Sequence, residues 1–149
     1  MNKYIAPNFH RVIGIDPDLD KNGFAFIEGE TRAVTRLKFW RLFDELKAYK
    51  KSQLVYLEAG WLNKGNHHPN HRLGKAGIFE QGRRVGLNHG VGMMIEGMLK
   101  YLEIPYVLVR PTKSKMKQPF FGKLTGLTTK NAEEIDAYML IHGLITKKQ

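Results

Sequence analysis

The chain has 149 residues, with 24 Lys and Arg against 14 Asp and Glu, a formal charge of +10 and no cysteine. That length suits one domain with a sizeable core and is short for two ordinary domains joined by a cleft. Without cysteine, neither a disulfide framework nor a thiolate zinc site can be built. Residues 1–10 lack the apolar run of a signal peptide and no stretch approaches transmembrane length, so the expectation is a soluble, intracellular, cytoplasmic protein.

Charge is unevenly placed. Residues 1–60 carry 10 Lys/Arg against 8 Asp/Glu, residues 61–130 carry 12 against 3, and residues 131–149 carry 2 against 3. A basic middle of this kind attracts polyanions, with DNA or RNA the commonest partner. An anionic membrane surface is the alternative, and no basic amphipathic helix supports it.

In chain order, Arg11-Val12-Ile13-Gly14-Ile15-Asp16 is an apolar run that stops at a carboxylate, with Pro17 barring a helix through it. It reads as a buried strand. A polar turn through Asp18, Asp20, Lys21 and Asn22 leads to a second strand over residues 23–27. Glu28-Gly29-Glu30 then turns into a third over residues 33–38, making an antiparallel meander. Phe39, Leu42, Phe43 and Leu46 have helical spacing within Phe39–Tyr49. Leu54-Val55-Tyr56-Leu57-Glu58 is a fourth strand, again ending in a carboxylate; helix followed by strand implies a crossover and parallel pairing. Residues 61–77, rich in Asn, His, Gly and Lys, read as a loop or a poorly ordered helix start. Residues 78–102 read as a helix with Val91, Met94, Ile95, Met98 and Leu102 on one face, and residues 104–109 as a fifth strand. A basic stretch, residues 110–130, leads to a last helix in which Asn131 and Glu134 have capping-box spacing. The succession βββαβαβα predicts an α/β fold with a mixed five-stranded sheet flanked by helices.

If the first and fourth strands are parallel neighbours, Asp16 and Glu58 both lie at strand C-termini, where α/β sheets place ligands. Glu133 and Asp136, at i and i+3, share one face of the last helix, and Glu134 points elsewhere. Converging carboxylates repel one another and raise their own pKa values unless cations join them. Their hard oxygens suit Mg²⁺, with Mn²⁺ as a substitute. Two such ions can activate a water and stabilise the departing oxygen in phosphodiester hydrolysis.

These motifs resemble the RuvC-type Holliday junction resolvases of the RNase H-like nuclease superfamily. Ile13-Gly14-Ile15-Asp16-Pro17 with Gly23 is similar to their first motif, Leu57-Glu58 to the second acidic strand end, and Glu133-Ala-Glu-Ile-Asp136-Ala137, read with its neighbours, to the terminal acidic helix. Residues 88–110 resemble the central helix and fifth strand. The likeness runs from about residue 11 to 143. It implies an RNase H-like fold and a homodimer that binds a four-way DNA junction and makes paired symmetric nicks, with Asp16, Glu58, Glu133 and Asp136 as a catalytic, metal-holding tetrad. It departs at Glu133, where members often carry Asp or His. The family's aromatic residue after the second acidic position, which contacts the opened junction, corresponds to Trp61; a rim or core tryptophan is the structural alternative.

Other residues divide between DNA contact and plain solvation. Lys64, Arg72 and Lys75, beside His67, His68 and His71, suit phosphate contact better than a zinc site, which needs a further ligand in fixed geometry. Arg83 and Arg84 open the long helix on this reading, where the helix dipole disfavours cations and an anion would relieve them. Lys113, Lys115 and Lys117 alternate before the last helix; one of them can approach the scissile phosphate, and Lys117 is the expected catalytic one, with Lys113 and Lys115 on DNA. Gly90, Gly92 and Gly97 within a helix permit close packing, so Met93, Met94 and Met98 mark either a dimer face or packing on the sheet. The rival readings are a non-catalytic branched-DNA-binding protein and an RNase H-like nuclease that processes structured RNA. An actin-like phosphotransferase, which shares the first motif, needs a second domain to close its cleft.

Overall fold

The computed structural model describes residues 5–63 and 70–147. Strands β1 (Arg11–Asp16), β2 (Asn22–Glu28), β3 (Thr31–Leu37), β4 (Gln53–Glu58) and β5 (Tyr106–Val109) form one sheet in the order β3-β2-β1-β4-β5. The β1–β2 and β2–β3 pairs are antiparallel, and β1–β4 and β4–β5 are parallel. This is the mixed sheet that the element order predicts. Helix α1 (Phe39–Tyr49) joins β3 to β4, and α2 (Gly74–Tyr101) is the crossover from β4 to β5; α3 (Phe120–Thr125) and α4 (Ala132–Met139) follow.

Helices cover both faces, so the strand alternation sorts the core into two layers. Val12, Ala25, Ile27, Leu54 and Tyr56 pack with Phe121 of α3 and with Ile135, Ala137 and Tyr138 of α4. The opposite parity, Ile13, Ile15, Phe24, Val55 and Leu57, packs with Leu42 and Leu46 of α1 and Ile95, Met98 and Leu99 of α2. Burying each large side chain is worth about 1.5–3 kcal/mol.

Two glycines bring α4 unusually close. A Cβ on Gly14 would collide with the Ala137 carbonyl oxygen, and one on Gly23 with the carbonyl oxygen of Glu133. Because Gly23 pairs with Asp16 in register, α4 is seated directly over the end of β1.

The structure corrects several expectations. Helix α2 starts at Gly74 rather than near 78, so Arg83 lies in its third turn. A dipole effect fades within the first turn, which removes that ground for an anion there, and Arg83 pairs instead with Glu80 at 2.7 Å. Met94 is 59 % exposed while Met98 is in the core, so Met94 lies beyond the buried edge of the expected apolar face. The basic stretch contains α3, held by buried Phe121, whose ring meets Tyr138 edge-on at 5.7 Å. Asn131 is the N-cap of α4 but its side chain makes no cap bond; it donates to Glu134 at 3.2 Å, and Glu134 also accepts from the Thr129 hydroxyl.

Arg11 is a buried charge on the α1 side, 3 % exposed. Its guanidinium lies 4.2 Å from the Phe26 ring centroid and 4.0 Å from that of Tyr49, and pairs with Glu45 at 2.8 Å. Aromatic faces and two carboxylates, Glu45 and, at 3.8 Å, Glu28, thus offset its desolvation.

Candidate active site

Side-chain parity decides which carboxylates meet. Val12 packs in the α4 layer and Gly14 abuts α4, so Asp16, next in that series, emerges on the same side. Leu54 and Tyr56 set the same parity for Glu58. Ile15 pairs with Leu57, which makes Asp16 and Glu58 neighbours at the ends of two parallel strands. Across from them α4 presents Glu133 and Asp136, three residues apart on one face.

Burial of Asp16 pushes its carboxyl up from 3.8 to about 8, helped by the charges of Glu58 and Asp136; Lys115 works against this and Glu133 adds to it. Asp16 thus feels the other three acidic groups, and near neutral pH, with no cation added, burial keeps its carboxyl protonated.

Lys115, on the segment between β5 and α3, reaches into this cluster. Its Nζ lies 3.1 and 2.9 Å from the two Glu58 carboxylate oxygens and 3.0 Å from Asp136 Oδ2. Burial alone lowers the affinity of this amine for its proton, but hydrogen bonds and charge from Glu58 and Asp136 outweigh that and hold it above the ordinary lysine value. Among the described residues no three His, Asp or Glu side chains are gathered as a ready metal site. An ammonium stands among the carboxylates instead.

The remaining predicted residues are spread more widely. Lys117 lines a groove of about 660 Å³ with Glu58, Lys115, Asp136, Arg110 and Phe120, and makes no ion pair among the described residues. Lys113 is exposed, as are Arg72, Lys75, His71 and Arg84. Lys64, His67 and His68 lie outside the described residues. Trp61 is half-buried: it packs in the α2 layer, and a Cβ on Gly92 would strike its ring. It also lines a cavity of about 190 Å³ beside Asp16 and Glu58, together with Asn88 and His89.

Asn88 and His89 had no signal in the sequence that set them apart. Asn88 accepts from the Leu19 amide at 3.0 Å and donates to Asp18 at 3.4 Å, clamping the β1–β2 turn against α2. Asp18 in turn accepts from the Asp20 amide at 2.9 Å, which keeps that carboxylate in the turn and out of the cluster.

Comparison of the sequence with protein-family models and with curated proteins finds no match. Comparison of the structure does. A RuvC from Thermus thermophilus, solved in complex with a Holliday junction substrate, superposes with a TM-score of 0.50 at 14 % identity, covering 87 % of this chain and 89 % of that one. A second T. thermophilus RuvC structure aligns at TM-score 0.49 and 14 % identity over 89 % and 92 %. At such identity the likeness is one of architecture: this chain has the RNase H-like fold of RuvC, a mixed five-stranded sheet flanked by helices.

Proposed function

We propose that the chain is a metal-dependent endonuclease that cuts branched DNA as a Holliday junction resolvase does. The observation that carries this reading is the placement of Asp16 and Glu58 at the C-terminal ends of two parallel strands with Glu133 and Asp136 on α4 facing them, where burial, and then the charges of Glu58 and Asp136, raise Asp16 to about 8. The fold shared with a RuvC solved on a Holliday junction supports it, as does the basic balance of residues 61–130.

The donor set fits a divalent cation. Carboxylate oxygens are what Mg²⁺ and Mn²⁺ take, the Lys115 ammonium already stands in as a cation between Glu58 and Asp136, and burial together with the neighbouring carboxylates disfavours Asp16 as an anion, which a bound cation would offset. When bound, the metal would supply Lewis acidity and an activated water for attack on the phosphodiester. Asp16, Glu58, Glu133 and Asp136 would hold it. Arg110 and Lys117, in the adjoining groove, and exposed Lys113 on the same segment after β5, would bind and orient phosphates, and Trp61 would offer its ring to an unpaired base of the opened junction.

Two nicks placed symmetrically need two such sites, hence a homodimer. The outer face of α2 suits a second copy: Met93 and Met94 are exposed at 55 % and 59 %, and among the described residues a Cβ at Gly86, Gly90 or Gly97 would have no neighbour within 4 Å. Small residues in that stripe let another helix approach closely.

The test is cleavage of a synthetic four-way DNA junction, with linear duplex and structured RNA as controls, with and without Mg²⁺ or Mn²⁺. Paired nicks that need metal and disappear in Asp16→Asn are expected. Tight binding without scission under any metal would make the protein a junction-binding module, and cutting of the RNA alone would make it an RNA-processing nuclease.

A further inference from the structure

Resting on the metal-dependent reading above, we infer that Lys115 is an internal counter-ion for the carboxylate cluster: it occupies a place where a divalent cation binds, and a cation must displace it to load the site. Three carboxylate oxygens, both of Glu58 and one of Asp136, lie within 3.1 Å of its Nζ. Those are oxygens a metal shared by Glu58 and Asp136 would take. An ammonium and a divalent ion cannot both sit against them, since the two positive charges would stand within a few ångströms of one another in a partly buried site.

Several features separate this from a chance surface ion pair. Glu58 and Asp136 are only 14 % and 15 % exposed, so their charge is poorly shared with water. Lys115 comes from an irregular segment, anchored at one end by β5 and at the other by α3, and its side chain is 37 % exposed. It can therefore swing outward without disturbing the core. Its neighbour Lys117 lines the same groove without a carboxylate partner among the described residues, which marks the contact as particular to one position. Once displaced, the Lys115 amine would lie at the mouth of the groove beside Arg110 and Lys117, placed to donate to a phosphate. The exchange would couple metal loading to the arrival of the DNA backbone, because phosphate replaces the partners that the lysine loses.

Two measurements on the full chain without DNA test this. The first is Mn²⁺ binding, followed by loss of the free-ion paramagnetic signal, for wild type, Lys115→Met and Lys117→Met. Lys115→Met should bind Mn²⁺ about tenfold or more tightly than wild type. Lys117→Met, which removes the same charge nearby, should change affinity by a factor of about two. The second needs no substitution: lysine acylation mapped by mass spectrometry, with and without saturating Mg²⁺. Lys115 should be slow to react without metal and become markedly faster with it, while Lys123 stays constant. Equal Mn²⁺ affinity for wild type and Lys115→Met, or Lys115 equally protected when the metal is bound, would overturn the displacement and leave the nuclease reading standing. Absence of Mn²⁺ binding by every protein would overturn both.

Discussion

Replacing Asp16 by Asn should make the metal-free protein more stable at pH 8 while removing its response to metal. With the folded carboxyl at about 8 and the unfolded one near 3.8, the group is protonated in both states below about pH 4 and contributes no pH dependence there. Between those values the folded chain keeps a proton that the unfolded chain releases, so stability falls as pH rises. Above about 8 both states are ionised and the full penalty of the buried anion stands. One unit corresponds to ~1.4 kcal/mol, so moving from pH 5 to pH 8 costs the wild type up to about 4 kcal/mol through this group. For a domain of this size ~1 kcal/mol moves the Tm by roughly 2–4 °C, so about 4 kcal/mol corresponds to a gap of about 8–16 °C. Asparagine carries no charge and escapes the penalty. The assay is thermal unfolding of both proteins at pH 5 and pH 8 in a chelator, repeated with Mg²⁺. Subtracting one protein from the other cancels the remaining titrating groups. Asp16→Asn should gain on wild type as pH rises, and Mg²⁺ should stabilise wild type at pH 8 without helping the variant. A stability difference that is the same at both pH values would refute the argument that burial and neighbouring charges disfavour the ionised Asp16.

Gly14→Ala should lift α4 from the sheet, because the added methyl meets the Ala137 carbonyl; a loss of about 1–3 kcal/mol in denaturant unfolding and a large fall in junction cleavage are expected. Phe121→Ala empties a fully buried site against Tyr138 and should cost about 3–5 kcal/mol, read the same way. Arg11→Met should leave stability within about 1 kcal/mol of wild type or raise it, since methionine fills the aromatic cage without a charge to desolvate; a loss well beyond that would mean the Glu45 pair outweighs its desolvation. Met94→Glu places a charge on the outer face of α2 without touching the core, so it should convert a dimer to a folded monomer, as light scattering and unfolding together would show.

Much of the architecture was legible because it follows from local alternation. Arg11–Asp16 and Gln53–Glu58 are short apolar runs ended by carboxylates, and a helix before β4 requires parallel pairing with β1. The same parity places Asp16 and Glu58 on one face, and i, i+3 spacing places Glu133 and Asp136 on another. The residues of the cluster could thus be nominated from the chain alone. Their closeness could not, because it depends on Gly14 and Gly23 letting α4 settle onto β1 and β2, and nothing in a glycine's immediate neighbours says which backbone will approach it.

The irregular segment before α3 was where sequence reasoning had least purchase. Lys113, Lys115 and Lys117 alternate identically there, and without a repeating backbone geometry spacing cannot say which amine turns inward. Only tertiary structure singles out Lys115, by bringing Glu58 from β4 and Asp136 from α4 to either side of it. Arg11 shows the same division. Its place at the start of β1 was evident, whereas its burial under Phe26 and Tyr49 arises from residues 15 and 38 positions away. Periodicity sets which way a side chain points within its own element; which charges it then meets is decided by elements far apart in the chain, and charge interactions depend on that distance and burial rather than on spacing.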